Sequence, residues 1–285
     1  MYKTCFLSLF FLCLLKVSAQ DSVKYYQQLG EQYYEQEKFE QAIQSFEKGL
    51  SIDKNSYQLT KSLADSKHKL DLFKEAISLY NKAEKLNDQD AELFFNRGAA
   101  RVFIEDYKNA IKDFDKSIKL NPDFPDVYYY RGYSNASLTK YGAAIKDYSQ
   151  AIKLKPDYAA AYYNRGAAKA ELDSYQAGLD DFETALKKDP SLENGLINVA
   201  LSKLGLKKYA EAIADFTTIL EQNGDNVDRA YFYRGEAQYE LNQKDRACDD
   251  WQKAAALEFE QADINIADFC GDKIKKRRRE IEIVF

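Results

Sequence analysis

Arg97, Arg131, Arg165 and Arg234 each stand immediately before a glycine, and sixteen residues after each comes an aspartate: Asp113, Asp147, Asp181 and Asp250. A row of guanidinium groups at a fixed step can form a ladder for an acidic ligand. A guanidinium with a carboxylate at a fixed distance can instead close a planar, two-point ion pair. The chain favours the second reading. Where Leu29 and Leu63 replace the arginine, Ser45 and Leu79 replace the aspartate; only Val199 with Asp215 breaks the pairing. The expectation is therefore four structural ion pairs.

Other chemistry is sparse. The one histidine, His68, sits in Lys67-His68-Lys69 and reads as a solvated surface residue. There is no glycine-rich phosphate loop, no serine or cysteine nucleophile with a plausible base, and no metal-ligand spacing. Asp180-Asp181 and Asp249-Asp250 are adjacent pairs, so their carboxylates point to different helix faces and do not share an acid–base site. No enzyme, cofactor or metal is expected. The 285 residues carry 41 Lys+Arg against 46 Asp+Glu, a formal charge of −5. Spread evenly, that balance argues against a nucleic-acid partner. Hydrophobic residues at 45% argue against wholesale disorder.

What positions these residues is an internal repeat. Small residues recur at Gly30, Ala64, Gly98, Gly132, Gly166, Ala200 and Gly235, in steps of 34 and finally 35. Twelve residues after each comes a second small residue: Ala42, Ala76, Ala110, Ala144, Gly178, Ala212 and Ala247. Four further on is an aromatic: Phe46, Tyr80, Phe114, Tyr148, Phe182, Phe216 and Trp251. Two antiparallel helices account for this. Each small residue lets the helices approach, and the aromatic fills the space left. Asn121-Pro122-Asp123 and Lys155-Pro156-Asp157 end one helix and start another. One such pair cannot bury its apolar face alone, but stacked pairs can.

The period and its small–small–aromatic–proline order resemble the tetratricopeptide repeat family. Seven repeats cover about 23–56, 57–90, 91–124, 125–158, 159–192, 193–227 and 228–261, within a domain of 20–261. The resemblance implies an all-α, right-handed superhelical solenoid of antiparallel helix pairs with a C-terminal capping helix. It also implies a protein or peptide partner held in the concave groove, hence an interaction scaffold or adaptor. In that fold the groove stripe includes Phe95, Tyr129, Tyr163, Ile197 and Phe232. Phe103, Tyr133, Leu201 and Tyr239 flank it, and Asn96, Asn164 and Asn198 are placed to bond a peptide backbone. The same rings can also serve only to pack neighbouring repeats together. The alternative function is a structural subunit of an envelope assembly, working through its convex face or its basic tail. A clamp for a ligand's terminal carboxylate is not expected, because Asp65 stands one turn after Lys61 and would repel it.

The ends carry further expectations. Lys3, the apolar run Cys5–Leu15 and the small residues Val17-Ser18-Ala19 read as a signal peptide of residues 1–19, cleaved before Gln20. The alternative is an uncleaved anchor. Loss of Lys3 and Lys16 takes the formal charge from −5 to −7. The compartment expected is a bacterial periplasm or the exterior, with an ER lumen as the other possibility, and no membrane span is expected in the mature chain. Residues 262–285 read as the cap and a basic tail, with Ile264, Ile266, Ala267 and Cys270 covering the seventh repeat. Cys248 and Cys270 come level on antiparallel helices, which allows either a disulfide or two buried thiols. The run Lys273–Arg279 suits either a weak anionic surface contact or a solvated helix end. Gly178 inside a helix costs up to about 1 kcal/mol. The extra residue in 222–226 predicts a hinge before the last repeat.

Overall fold

The computed structural model describes residues 19–192, 194–222, 226–271 and 283–284. The expected leader over 1–18, the basic run Lys273–Arg279 and residues 223–225 of the expected hinge lie outside the described residues. Among those described there are fifteen helices and no strand. They fall into two compact units, Met1–Glu105 and Asp106–Phe285.

The first unit holds α1 (Ala19–Glu35), α2 (Phe39–Ile52), α3 (Tyr57–Lys69), α4 (Phe73–Leu86) and α5 (Ala91–Phe103). The second begins with α6 (Tyr107–Leu120), α7 (Pro125–Ser137), α8 (Tyr141–Leu154), α9 (Ala159–Ala170) and α10 (Tyr175–Lys188). It continues with α11 (Gly195–Gly205), α12 (Tyr209–Gln222), α13 (Val227–Glu240), α14 (Lys244–Ala256) and α15 (Glu260–Phe269). Within each unit, every second helix of a hairpin also packs on the first helix of the next. This is a stack of antiparallel helix pairs.

The aromatic–small pairing explains the close approach within each hairpin. A Cβ added to Gly30 would lie 2.3 Å from the Phe46 ring, and one on Gly235 would lie 2.7 Å from the Trp251 indole. Phe46, Phe182, Phe216 and Trp251 are wholly buried. In the hairpin of α9 and α10 both facing positions are glycine. A Cβ on Gly166 or on Gly178 would come within 3.0 Å of the other's carbonyl oxygen. Gly178 therefore marks a backbone-to-backbone contact that alanine would crowd.

Short turns between consecutive helices share a feature that residue types do not announce. Glu37, Asp71, Glu105, Thr139, Asp173, Lys207, Asn242 and Glu258 all have positive φ, between 56° and 65°. In the turn at Thr139, the Lys140 amide donates to the Asn135 carbonyl and the Thr139 amide to that of Ala136, closing the end of α7. Glycine, which adopts this conformation freely, occupies none of these places.

The cap differs from expectation in its register. Its helix α15 starts at Glu260 rather than Ala262 and is described as far as Phe269. Ala262, Asn265 and Phe269 face the seventh repeat, whereas Ile264 is 63% exposed. Phe269 lies 5.0 Å from the ring of Tyr239 and 6.1 Å from that of Trp251. Cys248 and Cys270 are joined by a disulfide with their Cα atoms 5.7 Å apart.

Candidate protein-interaction surface

The arginines tie helices together. In the second unit, Arg165 donates to both carboxylate oxygens of Asp181, at 2.8 and 2.7 Å. Arg131 holds Asp147 the same way, with Nη2 at 2.6 Å, and Arg234 holds Asp250. The aspartates are nearly buried. A second arm was not anticipated. The remaining nitrogen of each arginine reaches back to the preceding hairpin: Arg131 to Asp115, Arg165 to Ser149 and Arg234 to Thr217. In the first unit Arg97 likewise reaches back to Asn81 and Glu84. Asp113 lies buried in α6. Each guanidinium also lies over the aromatic three residues before it: Phe94, Tyr128, Tyr162 or Tyr231, at 5.4 to 5.6 Å. The arginines are thus joints of the stack, with little capacity left for an acidic ligand.

The expected groove residues divide in two. Ile197, Asn198, Leu201 and Phe232 are 2%, 1%, 0% and 7% exposed, so they belong to the core and offer a ligand no surface. For the first three the reason is that α11 has only eleven residues, eight of them apolar or glycine, so its groove side and its packing side merge; Phe232, on α13, is covered by Tyr233 and Phe259. Tyr239 packs between Trp251 and Phe269. Tyr129 and Tyr163 are half-buried struts. Asn164 Nδ2 donates to Tyr129 Oη at 3.0 Å, and Asn198 Nδ2 donates to Tyr163 Oη at 2.9 Å. The asparagines thereby bond the neighbouring repeat. Tyr133 keeps 40% of its surface exposed, beside Tyr107.

In the first unit Phe95 and Asn96 are half-buried, while Phe103 is 58% exposed. Phe103 stacks on Phe73 at 4.6 Å, and His68 stands edge-on to both rings. His68 is therefore not a freely solvated surface residue. Burial lowers its pKa from the usual 6.5, and Lys69 adds to this.

The first unit also contains a pocket of about 200 Å³ that sequence reading missed. Glu31, Tyr34 and Glu35 line it from α1, Ser62 and Asp65 from α3, and Glu92 and Asn96 from α5, with Phe46 at the back. All but Phe46 come from first helices of successive repeats. Asp65 accepts from the Tyr80 hydroxyl at 2.6 Å and from Asn96 Nδ2 at 2.9 Å. Burial raises its pKa in spite of those bonds. Burial, then Asp65, push the Tyr34 phenol up to about 12. Lys61 bonds Glu92 at 2.5 Å at the edge. Four carboxyl groups and one lysine at its edge give the pocket an acidic lining. The signal was present in Asp65, whose repulsion of a carboxylate was legible in the sequence.

Three family models match the chain: one described as "Tetratricopeptide repeat" at residues 23–56, one as "TPR repeat" at 104–138 and 136–173, and a further tetratricopeptide repeat model at 200–263. Together they cover more than half of the chain. The chain belongs to the tetratricopeptide repeat family. No curated protein sequence matches it. Solved tetratricopeptide-type structures do. The crystal structure of MamA is 26% identical, with 60% of this chain and 93% of that chain covered at a TM-score of 0.57. YrrB, titled a TPR protein with an unusual peptide-binding site, is 19% identical, with 64% and 92% covered at 0.57. A tetratricopeptide repeat protein from Parabacteroides merdae is 17% identical, with 86% and 98% covered at 0.60. The latter two show the fold alone. The fold is that of a protein–protein interaction scaffold. Among the described residues no helix is long and apolar enough to cross a membrane, and no group of three His, Cys, Asp or Glu is placed to hold a metal ion.

Proposed function

We propose that the protein is an exported, non-enzymatic adaptor that holds an extended segment of a partner protein on its first-helix faces. The observation that carries this reading is the pocket built by α1, α3 and α5. First helices of three successive repeats converge on one cavity, and its Glu31, Glu35, Asp65 and Glu92 suit a lysine or arginine side chain of the partner. Tyr133 in the second unit offers an exposed ring as an apolar anchor. Export rests on the leader-like residues 1–19 and places the partner in the periplasm or outside the cell.

The test is a quantitative pull-down from envelope extract with the mature chain as bait. Wild type would be run beside Glu31→Gln with Glu35→Gln, and beside Tyr133→Ser. All three side chains reach the surface, so these variants keep the fold, as circular dichroism would verify. A partner enriched by wild type and lost with the glutamine variant supports the reading. A partner kept by every variant moves the function to another face or to the basic tail Lys273–Arg279, the structural-subunit alternative.

A further inference from the structure

The described C-terminal residues Ile283 and Val284 lie against α13. The Val284 amide donates to Tyr233 Oη at 3.3 Å. Arg229 Nη2 donates to the Val284 carbonyl oxygen. Both main-chain polar groups of one residue are therefore taken by side chains of one helix. Ile283 packs against the core cluster that contains Phe232 and Tyr233, while the Val284 side chain is 55% exposed.

The place of this contact in the repeat matters. Arg229 and Tyr233 stand six and two residues before Gly235. The residues six and two before Gly98 are Glu92 and Asn96, which line the pocket of the first unit. The C-terminal segment thus lies at the repeat positions that elsewhere line the candidate binding face. Gripping a peptide's N–H and C=O together reads its main chain, which is how an extended segment is held with little regard to sequence. The covered Ile283 adds a preference for an apolar side chain before the gripped residue.

We propose that Arg229, Tyr233 and the apolar surface beneath Ile283 form a binding site for the main chain of an extended apolar peptide, and that the chain's own Ile283–Val284 is its resident occupant. This deepens the proposed function and rests on its reading of the first-helix face. A partner segment bound at α13 must displace the chain's own end, so this station is closed until a competitor arrives.

The test uses the full mature chain. Amide exchange of Val284 is followed by NMR in wild type and in Tyr233→Phe, which keeps the ring packed on Phe216, Phe232 and Phe259. A fluorescein-labelled peptide of residues 280–285 is titrated into wild type and into Ile283→Asp with Val284→Pro, which removes the gripped N–H and the apolar contact. Val284 should be protected in wild type and exchange about tenfold faster in Tyr233→Phe, and the labelled peptide should bind the double variant at least about tenfold more tightly than wild type. An unprotected Val284, or one indifferent to Tyr233→Phe, would overturn resident occupancy. Equal binding to both proteins, or to neither, would overturn the site. Val284 protection is read without any partner, so it stands or falls independently of the pull-down.

Discussion

Arg234 and Asp250 face each other across the hairpin of α13 and α14 in two parallel hydrogen bonds, Nε to Oδ2 at 2.7 Å and Nη2 to Oδ1 at 2.9 Å. The Asp250 side chain is 4% exposed and that of Arg234 is 16% exposed. Removing one partner strands a charge in the protein. Arg234→Ala should therefore destabilise the chain by about 3 kcal/mol in equilibrium denaturant unfolding. Arg234→Lys should cost less but still measurably, because an ammonium cannot fork or stack on Tyr231. The second repeat shows an apolar solution at the same two places, Leu63 and Leu79, which belong to one apolar cluster. The double variant Arg234→Leu with Asp250→Leu should recover more than half of the alanine loss. Double-leucine protein no more stable than Arg234→Ala would show that the pair does more than fill the joint.

Thr139 is β-branched and held at φ 57°. A left-handed conformation costs an L-residue about 1–2 kcal/mol, part of which glycine gives back through its freer unfolded chain. Thr139→Gly should raise stability by about 1 kcal/mol. Asn242→Gly should change little, because asparagine tolerates the region. Thermal unfolding of the two variants side by side checks the contrast.

His68 gives unit one a pH dependence. Burial against Phe73 and Phe103, helped by Lys69 and opposed by Asp71, lowers its pKa below the ordinary 6.5. The unfolded chain then binds a proton that the folded chain refuses. The contribution to stability is complete above about pH 6.5 and is lost as pH falls through that value, until the folded imidazole itself protonates. Between about pH 7.5 and 5.5 wild type should lose more unfolding free energy than His68→Asn. Parallel pH profiles for the two proteins would show that the imidazole is not desolvated.

The disulfide clips α15 to α14 across 22 residues. In the chain-entropy account a loop of ~22 residues is worth about 3 kcal/mol. Reduction, or Cys248→Ser with Cys270→Ser, should lower the unfolding midpoint by that order. Hydrogen exchange should quicken first in α15, which packs at the end of the stack on α14 and, through Asn265 and Phe269, on α13. A midpoint unmoved by reductant in mature protein would indicate free thiols.

The period made the architecture legible, because glycine, alanine and a large ring at fixed spacing are what closely paired helices require. Gly30 with Phe46 and Gly235 with Trp251 are contacts that could be written down from the chain. The pairing of Arg131, Arg165 and Arg234 with their aspartates was legible for the same reason. Their backward arms were not, since Asp115, Ser149 and Thr217 share a place but not a charge. The left-handed turns were hidden because eight different positions carry Glu, Asp, Thr, Lys or Asn and no glycine. The candidate face was only half readable. Tyr133 and Ile197 both fall on first helices, yet one is exposed and the other sealed, and that depends on how short and apolar α11 is. The acidic pocket needed three helices to converge before Glu31, Asp65 and Glu92 became neighbours. Nothing in Arg229 or Tyr233 alone marks them as holding the chain's own end.

The Cys248–Cys270 bond also sets how the molecule yields to force. If the chain is drawn out from its two ends, the 22 residues between the sulfurs carry no tension and cannot lengthen. At about 3.4 Å per extended residue they withhold about 75 Å of contour length. The second half of α14 and the cap would then stay joined as one locked link, while every helix before Cys248 could still be drawn out.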